Sequence, residues 1–294
     1  MPHSGSFLHW LKQNTKPMSR RTTAIAAALS VLALGSPLIT GCTNPLGIQY
    51  FNQGVEKYKA DNYQGAIEDY TKAIEINPQD ADSYYNRGIA KYDLEDYQGA
   101  IADYTKAIEI DPKQALAYDN RGVTKGALKD YQGSIHDYTK ALEINPKSTN
   151  AYYNRATAKY HLADYQGAIS DYTKIIEIDP KQARAYRNRG ELKLKGLEDY
   201  EGAISDLNNA IEIDPKDSIA YNLRGYAKVN LEDLQGSIDD WSKVIDINPQ
   251  DSEAYRNRGA SKELANDLEG ACQDWRKSAD LGFKKAAEWV TNQC

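Results

Sequence analysis

The sequence predicts an all-α solenoid: helical hairpins stacked in series and closed by a final helix. Three observations predict it. Prolines recur at Pro78, Pro112, Pro146, Pro180, Pro215 and Pro249, 34 residues apart except for one 35-residue step between Pro180 and Pro215. Within each block the apolar residues fall at i, i+3, i+4 and i+7, the stripe of an amphipathic helix. Midway through each block stands a carboxylate or amide suited to start a second helix: Asn62, Asp96, Asp130, Asp164, Asp199, Asp233 and Asp267. A fixed period of this length marks units that each bury an apolar face against their neighbours. Length alone would suggest two domains; the repeat replaces that with one elongated unit.

The first 41 residues differ from the rest. They carry Lys12, Lys16, Arg20 and Arg21, no acidic residue, and an apolar stretch from Ala24 to Leu34. A basic start, a short apolar core and a small-residue end describe a secretory signal peptide over 1–41, with Met18 as an alternative start. The apolar run is shorter than the about 20 residues of a membrane span. Ile39-Thr40-Gly41-Cys42 resembles the bacterial lipobox, which implies lipid attachment at Cys42. An uncleaved anchor, or cleavage leaving a free cysteine, are the competing readings. Arg20-Arg21 hints at twin-arginine export, but Thr22-Thr23-Ala24 lacks the usual apolar pair, which favours the general secretory route. Residues 42–46 read as a short linker; Thr43–Gly47 fully extended spans about 17 Å. The expectation is an exported lipoprotein held close to a membrane surface, on the periplasmic face or the cell exterior.

Seven repeats follow, at 47–80, 81–114, 115–148, 149–182, 183–217, 218–251 and 252–282. In residues 81–114, Tyr84, Gly88, Ala90 and Leu94 share one helix. Tyr97, Ala100, Ile101, Tyr104, Ala107 and Ile108 share a second, which ends before Pro112 because proline excludes helical angles at Asp111. Gly88, Gly122, Gly190, Gly225 and Gly259 fall in mid-helix, where glycine costs roughly 0.8–1 kcal/mol against alanine. A close approach of the facing helix would justify that cost; Ala156 holds the place in one repeat. After Leu281-Gly282, residues 283–294 read as one more amphipathic helix, with Ala286, Ala287, Trp289 and Val290 on a face to cap the last repeat. A turn at Gly282 brings Cys272 and Cys294 to within about 3 Å in axial height. A disulfide fits that geometry and an exported protein, and closing the loop would contribute roughly 3 kcal/mol. A buried thiol beside a frayed end is the alternative.

The pattern Tyr84, Gly88, Ala100, Tyr104, Ala107, Pro112 resembles the tetratricopeptide repeat, over residues 47 to about 282. The resemblance implies a right-handed superhelix whose first helices line a concave groove, and a role in holding proteins. Two departures stand out. Where the family carries leucine before the glycine and an aromatic after it, this chain has Arg87, Arg121, Arg155, Arg189, Arg224 and Arg258, and the lysines from Lys57 to Lys262. Asp69, Asp103, Asp137, Asp171, Asp206, Asp240 and Asp274 recur on the second helix. Arginine's planar fork suits two parallel bonds to a carboxylate, so these residues predict an internal Arg–Asp ladder with lysine as competing or second partner. An anion-binding stripe is the functional alternative.

In the groove the resemblance places Asn52, Asn86, Asn120, Asn154, Asn188 and Asn257, with Leu223 interrupting. An asparagine offers donor and acceptor together, enough to satisfy an extended peptide's backbone; the alternative is amides that only solvate a helix face. Phe51, Tyr58, Tyr85, Tyr92, Tyr153 and Tyr160 would hold apolar or proline-rich segments, or stack on sugar rings. Arg184, Arg187 and Arg256 would place positive charge in the C-terminal part. The Lys/Asn/Lys/Arg set with which some family members grip a terminal carboxylate is not met: Tyr85, Asp119 and Tyr153 stand where its first lysine belongs.

Net charge is −6, and −10 once the four basic residues of 1–41 are removed. That opposes nonspecific nucleic-acid binding and electrostatic adhesion to membranes. His3 and His9 belong to the signal segment; His136 and His161 lack cysteine or carboxylate at metal-ligand spacing. No phosphate-cradling loop or nucleophile elbow is present. The expectation is a non-enzymatic scaffold without cofactor or metal. Its partner would be a protein or peptide, held in a membrane-tethered envelope complex; a glycan bound by the tyrosines is the alternative.

Overall fold

A computed structural model describes residues 44–294. The signal segment, Met18 and Cys42 lie outside the described residues. Fifteen helices run in order among the described residues. The first helices of the seven hairpins are α1 (Pro45–Lys59), α3 (Ala81–Asp93), α5 (Ala115–Ala127), α7 (Thr149–His161), α9 (Ala183–Gly196), α11 (Ser218–Asn230) and α13 (Ser252–Leu264). The second helices are α2 (Tyr63–Ile76), α4 (Tyr97–Ile110), α6 (Tyr131–Ile144), α8 (Tyr165–Ile178), α10 (Tyr200–Ile213), α12 (Leu234–Ile247) and α14 (Leu268–Asp280). The last helix, α15, spans Lys284–Gln293. α1 begins inside the expected 42–46 linker, because Asn44 caps it by accepting from Leu46 N and Pro45 suits its first turn. The extended reach assigned to Thr43–Gly47 is therefore corrected, since three of those five residues are helical.

Local chemistry sets each hairpin. The predicted cap residues, from Asn62 to Asp267, each accept from the amide of the glycine three places on, as Asp96 does from Gly99 N at 3.0 Å. The residue before each cap is left-handed: Asp61, Glu95, Lys129, Ala163, Glu198, Glu232 and Asn266 all have φ between 55° and 65°. α14 ends at Leu281-Gly282, whereas each second helix from α2 to α12 stops immediately before an Asn-Pro or Asp-Pro pair. There the side chain closes a turn on the backbone, as when Asp111 Oδ1 accepts from Lys113 N at 3.0 Å. The extra residue of the fifth repeat is absorbed into α9, which has 14 residues where α3, α5, α7, α11 and α13 have 13.

The helices form two compact units, one closing at Leu128 and the other running Lys129–Cys294. Within each, consecutive helices pack in series, and the first helices α1, α3 and α5 also touch in turn, as do α9 and α11. The N-terminal core holds Tyr70, Tyr85, Tyr104, Ile89 and the small residues Ala66, Ala100 and Ala107, all under 5% exposed. The second core holds Tyr172, Leu207, Leu223, Trp241 and Trp275. The mid-helix glycines face these rings. A methyl on Gly88 would sit 2.7 Å from the Tyr104 ring, and one on Gly225 2.9 Å from Trp241. At Gly190 and Gly259 a facing backbone carbonyl also lies 3.2 Å from such a methyl. The glycines thus make room for an aromatic ring at Gly88, Gly225 and Gly259, and for the facing helix backbone at Gly190 and Gly259.

The Arg–Asp ladder is built as a double link. Arg87 Nε and Nη2 donate to the two oxygens of Asp103 at 2.9 and 2.7 Å, and Nη1 reaches Thr71 Oγ1 of the preceding repeat at 3.0 Å. Arg155, Arg189 and Arg258 repeat this on Asp171, Asp206 and Asp274, with Thr139, Thr173 and Ser242 as the cross-repeat acceptors. Arg224 does the same with Asp240 and Asn208. Lysine is a second partner and not a competitor: Lys91, Lys159, Lys193, Lys228 and Lys262 each reach the same aspartate at 2.7–2.9 Å. Each guanidinium also lies over the ring three residues earlier, such as Tyr84 under Arg87 at 5.5 Å. In the first repeat, where Gln53 replaces arginine, Lys57 meets Asp69 at 2.6 Å and Lys72 approaches its other oxygen at 3.5 Å.

Cys272, 6% exposed, and Cys294 are joined by a disulfide across a Cα–Cα distance of 5.8 Å. The bridge ties the end of α15 to α14, where Ala271, Trp275 and Ala286 are buried together.

Candidate partner-binding face

The first helices carry the residues predicted to line a groove, and the structure sorts them. Asn52 is exposed and Asn154 half-buried. Asn86 Nδ2 turns back to Asp82 O at 2.8 Å. The other three reach the tyrosine of the preceding repeat: Asn120 donates to Tyr85 Oη at 3.0 Å, Asn188 to Tyr153 Oη at 2.6 Å, and Asn257 to Tyr226 Oη at 2.8 Å. The ladder is therefore anchored through its Nδ2 groups, so a ligand amide would meet the Oδ1 of Asn120 or Asn188.

The tyrosines divide. Tyr85 is 2% exposed and belongs to the core beside Ile89 and Tyr104, so it cannot receive a stacking ligand. Its place on the predicted face is corrected; the same helical stripe serves core and face, and the neighbouring helices cover this position. Burial, reinforced by Asp119, pushes its phenol far above the ordinary range. Tyr153 stays half-buried on the surface. Tyr58 donates to Asp93 at 2.6 Å, and Phe51 packs on Tyr70. Tyr92 and Tyr160 rest against Tyr97 and Tyr165. Losing Tyr85 removes one of the six aromatic residues offered for sugar stacking.

The three arginines are not equivalent. Arg187 Nη1 meets the buried Asp217 at 2.8 Å, so its charge is compensated within the protein. Arg256 donates to Asn257 Oδ1 and Tyr226 Oη and lies over the Phe283 ring at 5.1 Å. Arg184 lies over the face of Tyr153, 4.4 Å from its centroid. Asp217, a helix cap that also accepts from Ala220 N, is the partner that sequence reading missed. Its signal is an acidic residue where the second and fourth repeats end in Gln114 and Gln182.

His161 stacks on Tyr131 with centroids 4.5 Å apart, and burial holds its imidazole below the ordinary value. Among the described residues no group of three or more His, Cys, Asp and Glu is placed to hold a metal ion, and no helix is long and apolar enough to cross a membrane.

Consecutive hairpins with paired small and aromatic positions define a helical-repeat solenoid protein. Family models for the tetratricopeptide repeat match residues 81–114, 137–170, 115–148 and 183–217, and one described as the TPR repeat matches 54–95, together more than half of the chain. The chain belongs to the tetratricopeptide repeat family. Comparison with curated proteins finds no match. Among solved structures, the C-terminal part of a TPR repeat-containing protein from Cytophaga hutchinsonii is 19% identical with TM-score 0.72, covering 81% of this chain and 98% of that one. A tetratricopeptide repeat protein from Parabacteroides merdae is 22% identical with TM-score 0.59, covering 84% and 98%. YrrB, described as a TPR protein with an unusual peptide-binding site, is 22% identical with TM-score 0.56, covering 64% and 97%. These likenesses concern the fold.

Proposed function

We propose that this protein is a non-enzymatic interaction scaffold that holds an extended protein segment along its first-helix face. One observation carries the reading: Asn120, Asn188 and Asn257 are each fixed by a cross-repeat bond to a tyrosine. Amides oriented before binding lose little freedom when a partner's backbone arrives, and each offers an acceptor or donor that a backbone can use. The peptide-binding description of YrrB agrees with this use of the fold. The scaffold would be tethered at a membrane through lipidated Cys42 and serve assembly of an envelope complex; the lipobox-like Ile39–Cys42 supports that part.

In-cell crosslinking and recovery with the full chain tests the face, beside an Asn120→Ala/Asn188→Ala variant of confirmed helicity. A defined protein recovered with the parent and lost with the variant is the expected result; equal recovery would move binding to another surface. Tethering is read separately, by membrane fractionation of Cys42→Ser. Release of the variant is expected, and unchanged membrane association would dismiss the lipid anchor.

A further inference from the structure

We infer that the bound segment presents an acidic side chain to Arg184, a carboxylate subsite built from Arg184, Tyr153 and Asn188. The inference rests on the proposed first-helix face and names the chemistry of its partner.

The site is rigid from the core outward. Tyr172 is buried at 5% exposure, and Asn188 Nδ2 reaches its hydroxyl at 3.2 Å. The same Nδ2 reaches Tyr153 Oη at 2.6 Å, and the Tyr153 ring meets that of Tyr172 edge-on at 5.6 Å. Arg184 then lies on Tyr153 at 4.4 Å. A guanidinium held over a ring by its charge makes no hydrogen bond in doing so and keeps N–H groups for an acceptor. No ion pair of Arg184 forms among the described residues, whereas Arg187 is answered by Asp217 at 2.8 Å. A half-buried, oriented guanidinium without a counter-charge suits a carboxylate, which takes two parallel N–H bonds.

The neighbours extend the match. Tyr153 Oη accepts from Asn188, so its own hydrogen can serve as a further donor. Both bonds of Asn188 run through Nδ2, so its Oδ1 can accept a main-chain N–H. Donors for a carboxylate beside an acceptor for an amide fit an acidic residue within an extended chain. The corresponding places in the other repeats are Ile48, Asp82, Leu116, Asn150, Ile219 and Glu253, so the cation occurs once. The geometry points to one acidic residue at a set register, not to a polyacidic run.

The test is an NMR titration of the full chain, following the arginine Nε–H signals, with that of Arg184 assigned from Arg184→Gln. The probes are capped five-residue Ala/Ser peptides carrying Glu, Gln or Lys at the centre. The Glu peptide should shift the Arg184 signal and bind roughly tenfold more tightly than the Gln peptide, the scale of one charge-assisted bond. Arg184→Gln should abolish that preference, and Arg184→Lys should restore it only in part. Equal binding of all three peptides would overturn the subsite and leave the first-helix reading standing. A Glu preference that survives in Arg184→Gln would also overturn it. Failure of all three to bind would count against both.

Discussion

At the residue scale, seven backbone positions carry a recurrent strain. Asp61, Glu95, Lys129, Ala163, Glu198, Glu232 and Asn266 are left-handed without being glycine. That conformation costs a side chain with a Cβ roughly 1–2 kcal/mol, while glycine takes it freely but loses more entropy on folding. Ala163→Gly should therefore raise stability by a few tenths to about 1 kcal/mol, read as a higher denaturation midpoint at unchanged slope. Asp82 gives a second prediction. Asp82 is exposed, yet the protein packed beside it, then Asp80 and Asp111, hold its carboxyl above the ordinary range, with Gln114 opposing. A raised folded value means stability is present at low pH and lost as pH rises through that value. Asp82→Asn should raise Tm at pH 7, with a gain that shrinks as pH falls below the carboxylate range. A pH-independent gain would show that the charge is not responsible. The aspartate and its neighbours are plain in the sequence, but their mutual proximity is not, because Asp82 and Asp111 are brought together by a hairpin.

At the element scale, the ladder links helices that the apolar stripes also pack. Asp171 is 2% exposed and receives Arg155 and Lys159. Arg155→Met should cost up to about 3 kcal/mol, the lower end for breaking a buried pair, because Lys159 still faces the carboxylate. Adding Asp171→Asn should recover part of the loss, measured by denaturant titration. An Arg155→Met variant as stable as the parent would show that the pair is energetically neutral. The ladder was legible from types and spacing: Arg at one place, Asp sixteen residues on, or seventeen in the fifth repeat with its extra residue. The hydroxyl that takes the third N–H was not. Thr71, Thr139, Thr173 and Ser242 also sit sixteen residues before their arginines, but a threonine on a helix face has many ordinary uses.

At the scale of the whole molecule, the C-terminal end is held by chemistry as well as packing. α15 has 10 residues, short for a helix standing alone. Its anchors are Ala286 on Trp275 and the Cys272–Cys294 bridge. Cys294→Ser should lower stability by about 3 kcal/mol, the entropy of a loop this size. Reducing the parent should produce the same shift, and the variant should not respond to reductant. If reduction leaves the parent's midpoint unchanged, the bridge adds nothing to the cap.

By itself the sequence determined the fold class, the helical hairpins and their caps, and the Arg–Asp ladder. Period, capping and turn chemistry act over a few residues and recur seven times, so each copy corroborates the others. Only the tertiary structure decided which residues of the first-helix stripe remain available. Tyr85 and Tyr153 occupy the same place in the repeat, yet one is sealed in the core and the other lies beneath Arg184. Arg187 and Arg184 look alike in the chain, yet only Arg187 has Asp217 within reach, thirty residues later. Burial and charge compensation depend on what the neighbouring repeat places opposite a side chain, and a helical stripe read along one helix does not carry that information.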